Sequence, residues 1–139
     1  MSIYEDAAAM LPAVEAEEGY EPHVYPDTEL NATIGIGFCI KGGLSLYEAR
    51  ALAKAQIEWR LMQIEPRLPS YKNLTLNRKM VLAQIAFNCG VRGLFGFVNM
   101  VRALNSGDYD RAADEILDSD AGRKLKNRYI RLSEMMRDG

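Results

Sequence analysis

Three side chains near the N-terminus, Glu18, Asp27 and Thr33, have the types needed to hydrolyse a glycosidic bond. That reaction requires an acid that protonates the leaving oxygen, a base, and a group that holds the attacking water. Two carboxylic acids and one hydroxyl supply these three functions. We therefore interpret the stretch that contains them as a candidate catalytic segment.

The pattern around these residues predicts the end of a helix followed by a short hairpin. Gly19 suits the position after a helix, where φ must be positive. Residues 23–25 and 33–37 are typical of two short strands joined by a polar turn, and Pro26 favours an edge position for the first strand. Glu18 at the helix end would then face a cleft beside the hairpin.

The spacing of these residues resembles that of a known family. Eight residues separate Glu18 from Asp27, five separate Asp27 from Thr33, and Thr33 begins the run Thr-Ile-Gly-Ile-Gly. This pattern closely resembles the bacteriophage-type lysozymes of glycoside hydrolase family 24. The resemblance implies that Glu18 is the general acid, that Asp27 activates a water molecule, and that Thr33 positions that water.

The resemblance covers about residues 10–131 and implies an activity. It implies a muramidase that cleaves the β-1,4 bond between N-acetylmuramic acid and N-acetylglucosamine in peptidoglycan, with inversion and without a cofactor. A metal site is not expected either, because His23 is the one histidine and neither Cys-x-x-Cys nor His-x-x-x-His spacing occurs. We expect Cys39 and Cys89 to be reduced, buried thiols that act as small apolar groups.

Two glycines in the hairpin are candidate substrate contacts. Glycine weakens a strand and often marks the close approach of a ligand, so a sugar ring could lie against Gly35 and Gly37. A bulge that curves the sheet is the alternative explanation for both residues.

Further substrate contacts are implied by the resemblance. It implies Asn88 and Phe97 as substrate contacts, and Phe87 as a cleft-wall or core residue. It also implies that Arg128 approaches Glu18, although a basic residue near a helix end has an ordinary electrostatic explanation as well. Phe38 stands where the family usually has a histidine, and a phenylalanine cannot form an ion pair.

The first helix is predicted over residues 3–18. Its apolar residues recur on one face and reach Glu18, so we expect partial desolvation of that carboxyl group, which favours its neutral form. Pro12 removes one hydrogen bond and crowds the preceding turn, so we expect a break near Leu11.

Other elements have clear sequence signals. Ser45 to Glu48 forms a capping box that opens a long helix, which Pro66 ends. Residues 76–88 are apolar on nearly all sides, which predicts a central buried helix that stops at Gly90. Trp59 lies between the apolar positions of the long helix, where it could support a sugar or pack at a boundary.

Together these patterns predict an α+β fold that is mostly α, and the resemblance implies a lysozyme-like two-lobed architecture in a single domain, residues 1–139. The small hairpin lobe is expected over about residues 19–45 and the connecting helix over about 46–65. The helical lobe is expected to combine residues 1–18 with 69–139.

Composition limits the partners of the protein. The 17 basic and 19 acidic residues give a net charge of −2, without the basic surplus that nucleic-acid binding proteins usually show. Because no apolar run reaches the length of a membrane span and the N-terminal residues lack a basic cluster, we expect neither a transmembrane helix nor a signal peptide. We expect a monomer that acts on peptidoglycan glycan strands. It would reach them from the host cytoplasm with a holin-like partner, or as part of a virion.

Two other functions are compatible with this fold class. A lytic transglycosylase uses an acid but no water, so Asp27 and Thr33 argue against it. A lysozyme-like module that binds glycan or serves as a virion structural part, without turnover, is compatible with the acidic net charge. The intact set of Glu18, Asp27 and Thr33 argues against this second alternative.

Overall fold

The computed structural model describes residues 2–139. The chain divides into two compact units, one up to Ala51 and the other from Leu52 to Gly139. Seven α-helices and one three-stranded antiparallel sheet form the described part of the chain, which confirms the expected α+β, mostly α fold class. The predicted grouping of residues 1–18 with 69–139 stays a prediction.

The first unit contains one helix, the sheet and the start of the long helix. Its elements, in chain order, are α1 (Ile3–Glu18), β1 (Glu21–Pro26), β2 (Ala32–Gly35), β3 (Phe38–Cys39), a 3₁₀ turn (Ile40–Gly42) and the beginning of α2 (Leu46–Ile64).

Helix α1 is continuous, so the break that we predicted near Leu11 is wrong. Ser2 caps the helix by accepting a hydrogen bond from the N–H of Glu5, while the Glu5 carboxylate accepts from the N–H of Ser2. Pro12 lies inside the helix. It removes one backbone donor, and this loss does not end a helix that is closed by caps at both ends.

Helix α1 has no buried face within the first unit. No described residue of this helix is buried, and Glu18 is exposed. Within the first unit, no element packs extensively against the apolar face that reaches Glu18. The predicted desolvation of the Glu18 carboxyl group therefore has no basis within this unit.

The sheet has the order β1-β2-β3, which places β1 at an edge, as Pro26 suggested. Tyr25 pairs with Thr33, and Ile34 pairs with Phe38. The predicted strand 33–37 is too long. Gly35 and Gly37, with φ of 70° and 69°, turn the chain so that β2 ends and β3 begins.

Helix α2 begins and ends where the sequence predicted. The Ser45 hydroxyl accepts a hydrogen bond from the N–H of Glu48 at 3.1 Å, and Glu48 Oε1 accepts from the Ser45 N–H at 3.0 Å. The helix ends at Ile64, and Pro66 follows within a 3₁₀ turn. Trp59, on the part of α2 in the second unit, is 62 % exposed.

The second unit is helical and contains the hydrophobic core. After the 3₁₀ turns Glu65–Arg67 and Tyr71–Asn73, its helices are α3 (Leu76–Phe95), α4 (Val98–Asn105), α5 (Tyr109–Leu117), α6 (Asp120–Lys124) and α7 (Lys126–Asp138). The largest fully buried side chains are those of Ile64, Val81, Leu82, Ile85, Leu94, Met100, Leu104, Ile116, Tyr129, Leu132 and Met136.

Helix α3 supplies the centre of this core, but the prediction that it is buried on all sides is wrong. Leu76 is 76 % exposed and Met80 is 40 % exposed. Both line a groove of about 640 Å³, which we call the apolar groove. The helix breaks at Gly90, whose φ of 76° and ψ of 166° are not helical, and this confirms the predicted stop.

No single helix within residues 2–139 has both the length and the apolar composition to cross a membrane. Helices α3 and α4 meet that criterion only when taken as a pair, by length and composition alone, and they are bent by 89° relative to each other.

Candidate active site

Glu18 is the last residue of α1, and its side chain lies against the turn between β2 and β3. Gly19 ends the helix with a φ of 73°, and its N–H donates to the carbonyl of Glu15. The Glu18 carboxyl group lies over Gly37, since a Cβ built on Gly37 would be 2.6 Å from Glu18 Oε2. The helix end and the hairpin therefore meet at this acid.

Asp27 follows β1 and is fixed by the polar turn that it begins. Its Oδ1 accepts hydrogen bonds from the N–H of Glu29 at 2.9 Å and of Asn31 at 2.8 Å. Leu30, within this turn, has a φ of 66°. Among the described residues, none donates a hydrogen bond to Oδ2, so this oxygen is available to a ligand or water.

Thr33 is buried in β2, with 3 % of its surface exposed. Its hydroxyl donates to the carbonyl of Asn31 at 2.9 Å. The proton of this hydroxyl is thereby engaged, which leaves the oxygen able to accept a hydrogen bond.

Asn31 connects two of the candidate catalytic residues, and the sequence interpretation missed this role. Its N–H donates to Asp27 and its carbonyl accepts from Thr33. Both contacts use the backbone, so the asparagine side chain gave no direct signal. The indirect signal was Asp27 at the start of a polar turn, because aspartate often accepts hydrogen bonds from the backbone that follows it.

The two hairpin glycines differ in what lies beside them. A Cβ on Gly35 would meet no atom within 4 Å, so the space beside Gly35 is open to a sugar ring. The corresponding space at Gly37 is occupied by the Glu18 side chain. The group that lies close to Gly37 is therefore a side chain of this protein, Glu18.

Phe87 and Arg128 both line the apolar groove of the second unit. Phe87 is 43 % exposed, and the guanidinium of Arg60 lies 4.4 Å from the centre of its ring. Arg128 is exposed. Its predicted approach to Glu18 stays a prediction.

Asn88 is held by Tyr129 from the last helix. The hydroxyl of Tyr129 donates to Asn88 Oδ1 at 3.0 Å, and Cys89 Sγ lies 3.5 Å from the same hydroxyl. Burial raises the pKa of Tyr129, and its hydrogen bond with Cys89 raises it further.

Cys89 and Cys39 are free but only half-buried, so the expected full burial of these thiols is wrong.

Phe97 precedes α4 and lines a second cleft of about 540 Å³. Acidic side chains surround this cleft, and Arg123 pairs with two of them, Asp118 and Asp120.

Within the described part of the chain, there is no group of three or more histidine, cysteine or acidic side chains that could hold a metal ion.

The first unit contains Glu18, Asp27, Thr33, Gly35 and Gly37, with Glu18 against Gly37 and with Asp27 linked to Thr33 through Asn31, whereas the other predicted residues lie in the second unit. A comparison with known families shows that the family described as phage lysozyme matches residues 15–131, a range that includes all of them. A search of curated proteins found no significant match.

Proposed function

We propose, since this chain belongs to the phage lysozyme family, that Glu18, Asp27 and Thr33 are the catalytic residues of a muramidase. Membership of the family makes the chain a peptidoglycan hydrolase. The bond cleaved, the stereochemistry and the roles of individual residues form the proposal.

The observation that supports the proposal best is the connection of Asp27 to Thr33 through Asn31. A water between these side chains would donate one hydrogen to Asp27 Oδ2. It would donate the other to Thr33 Oγ1, because the threonine proton is engaged by Asn31. The lone pair of that water would then be directed at the anomeric carbon, which is the orientation that attack requires.

In the proposed reaction, Glu18 donates its proton to the glycosidic oxygen as the bond to the anomeric carbon breaks. The oxygen of the water forms the new bond on the opposite face, and Asp27 accepts the proton that the water releases. The product has the inverted, α configuration. Such sites hold their carboxyl groups roughly 6.5–9.5 Å apart, and we expect this separation between Glu18 and Asp27 in the complex with substrate.

We further propose that Gly35, Phe87, Asn88, Phe97 and Arg128 contact the glycan. Gly35 has open space beside it, and Phe87 and Arg128 line the apolar groove, which supports these assignments. In the cell, the enzyme would lyse the host wall after release by a holin-like partner, or it would open the wall as part of a virion.

Glu18→Gln tests the proposal, with Glu17→Gln as the matched control on the same exposed helix end. The amide cannot donate the proton, so we expect clearing of purified peptidoglycan to fall about 10²–10⁴-fold. Glu17→Gln should keep wild-type activity. Full activity of Glu18→Gln would reject the assigned acid.

Proton NMR of the newly formed sugar end, recorded before mutarotation, tests the stereochemistry. An initial α-anomer is expected, whereas an initial β-anomer would indicate retention. Wild-type protein that binds peptidoglycan without releasing any new sugar end would instead support the non-catalytic module.

A further inference from the structure

The side chain of Glu18 occupies the space that any side chain at position 37 would need. A Cβ built on Gly37 would lie 2.6 Å from Glu18 Oε2, 2.9 Å from Cδ and 3.0 Å from Cγ. Ordinary van der Waals contact with a Cβ begins at 3.4 Å. A residue larger than glycine would therefore have to displace the carboxyl group.

The backbone conformation alone does not account for this contact. Gly35, Gly37 and Gly43 have nearly the same φ, of 70°, 69° and 70°. A Cβ at Gly35 or Gly43 would meet no atom within 4 Å. Positive φ is thus a shared reason for glycine at the three positions, whereas contact with Glu18 distinguishes Gly37.

We propose that Gly37 is a positioning residue for the catalytic acid. Its bare Cα lets the Glu18 carboxyl group lie directly against the turn that follows β2, the strand that contains Thr33. The acid is thereby placed at a fixed position relative to the water-holding hydroxyl. This inference rests on the proposed function of Glu18, and it assigns Gly37 to the acid in place of the sugar contact suggested by the sequence.

The expected consequence is a loss of rate in addition to the loss of stability that positive φ causes at any of these glycines. The outer part of a glutamate side chain can rotate towards solvent, so a methyl group at position 37 moves the carboxyl group at little cost to the fold. A displacement of roughly 1 Å is enough to reduce a rate about 10²-fold.

Gly37→Ala tests this proposal against Gly43→Ala, which has the same backbone strain but no contact with Glu18. We expect both variants to lower the melting temperature to a similar extent. Only Gly37→Ala should reduce kcat about 10²-fold on soluble peptidoglycan fragments, with KM unchanged. Gly37→Asn is the second variant, since asparagine tolerates positive φ better than alanine while it still adds a Cβ.

A readout that does not depend on activity is the ¹³C resonance of the Glu18 carboxyl carbon. We expect it to shift in Gly37→Ala and in Gly37→Asn, and to stay in place in Gly43→Ala. An unmoved resonance, or wild-type kcat in both position-37 variants, would overturn the proposal. A moved resonance together with full activity of Glu18→Gln would instead reject the proposed acid, so the two failures can be told apart.

Discussion

Asp27 has two separate tasks, one for each of its carboxylate oxygens. Oδ1 holds the turn through two backbone N–H groups, and Oδ2 is the oxygen that we assign to the attacking water. Asparagine can still accept both backbone hydrogen bonds, but it carries no negative charge. The two tasks can therefore be separated by substitution.

We expect Asp27→Asn to fold with near wild-type stability and to lose at least 10²-fold in activity, because the base is absent. Asp27→Ala should lose as much activity and also about 1–2 kcal/mol of unfolding free energy, because the turn loses its acceptor. Chemical denaturation and peptidoglycan hydrolysis measure the two effects. Equal stability of both variants would contradict the role of Oδ1 in the turn.

The types and spacing of Glu18, Asp27 and Thr33 were the basis for the candidate site, and their catalytic roles stay predictions. The contact of Glu18 with Gly37 could not be predicted, because it depends on a turn with positive φ that places bare backbone beneath the helix end. The connection through Asn31 uses backbone groups, which every residue possesses, so side-chain identity does not report it.

Among the elements, the start of α2 shows how a helix cap links stability to pH. The hydroxyl and the N–H of Ser45 both donate to Glu48, and these bonds lower the pKa of Glu48 below its ordinary value of 4.5. A carboxyl group with a lowered pKa in the folded state stabilises the protein above the unfolded value. That contribution is lost as the pH falls through the folded pKa.

We therefore expect Glu48→Gln to flatten the acid side of the stability profile. Glutamine can replace glutamate in a capping box but does not titrate. Between roughly pH 5 and pH 3, the unfolding free energy of the variant should fall less than that of the wild type. Denaturant titrations at several pH values measure this. Parallel curves for the two proteins would show that the cap is not formed in solution.

Helix α7 is connected to α3, just before the break at Gly90, through the buried hydroxyl of Tyr129. Burial raises the pKa of this hydroxyl above its ordinary value of 10.0. The neutral phenol is thus favoured in the folded state. Its contribution is complete below the unfolded value and is lost as the pH rises towards the folded one.

We expect Tyr129→Phe to lose about 1 kcal/mol of unfolding free energy at neutral pH, because Asn88 loses its donor. The decline of stability above about pH 10 should also become shallower. Tyr47→Phe is the control, since Tyr47 is 73 % exposed. An identical alkaline decline in wild type and Tyr129→Phe would contradict the burial of this hydroxyl.

The element boundaries were predictable where a single residue decides them. Ser45 opened α2 and Gly90 broke α3 as expected, because a cap and a positive φ act locally. The break near Leu11 and the burial of the whole of residues 76–88 were wrong. The first failed because caps at both ends close α1 across Pro12. The second failed because burial depends on neighbouring elements, which the sequence of one helix does not specify.

At the scale of the whole molecule, buried side chains are distributed unevenly. Thr33 is the one buried residue in the described part of the first unit, whereas the second unit contains the hydrophobic core. Local opening is easiest where few apolar contacts hold the backbone. The two units should therefore differ in their resistance to opening.

We expect native-state hydrogen exchange to be slowest in the buried part of α3 and in α5 and α7. Amides of α1 and β1 should exchange by local opening, well below the global unfolding free energy. Mass spectrometry of peptides after exchange, in wild-type protein without substrate, measures this order. Protection in α1 equal to that in α3 would contradict it.

The exposure of Trp59 decides what the intrinsic fluorescence of this protein can report. The sequence contains one tryptophan, and it is 62 % exposed in the folded chain. Its emission should already resemble that of an indole in water, so unfolding should change the spectrum little. A sugar ring stacked on this indole would displace water and shift the emission to shorter wavelength. A shift to shorter wavelength on addition of glycan would therefore place a sugar at α2, whereas the same emission is a poor probe of unfolding.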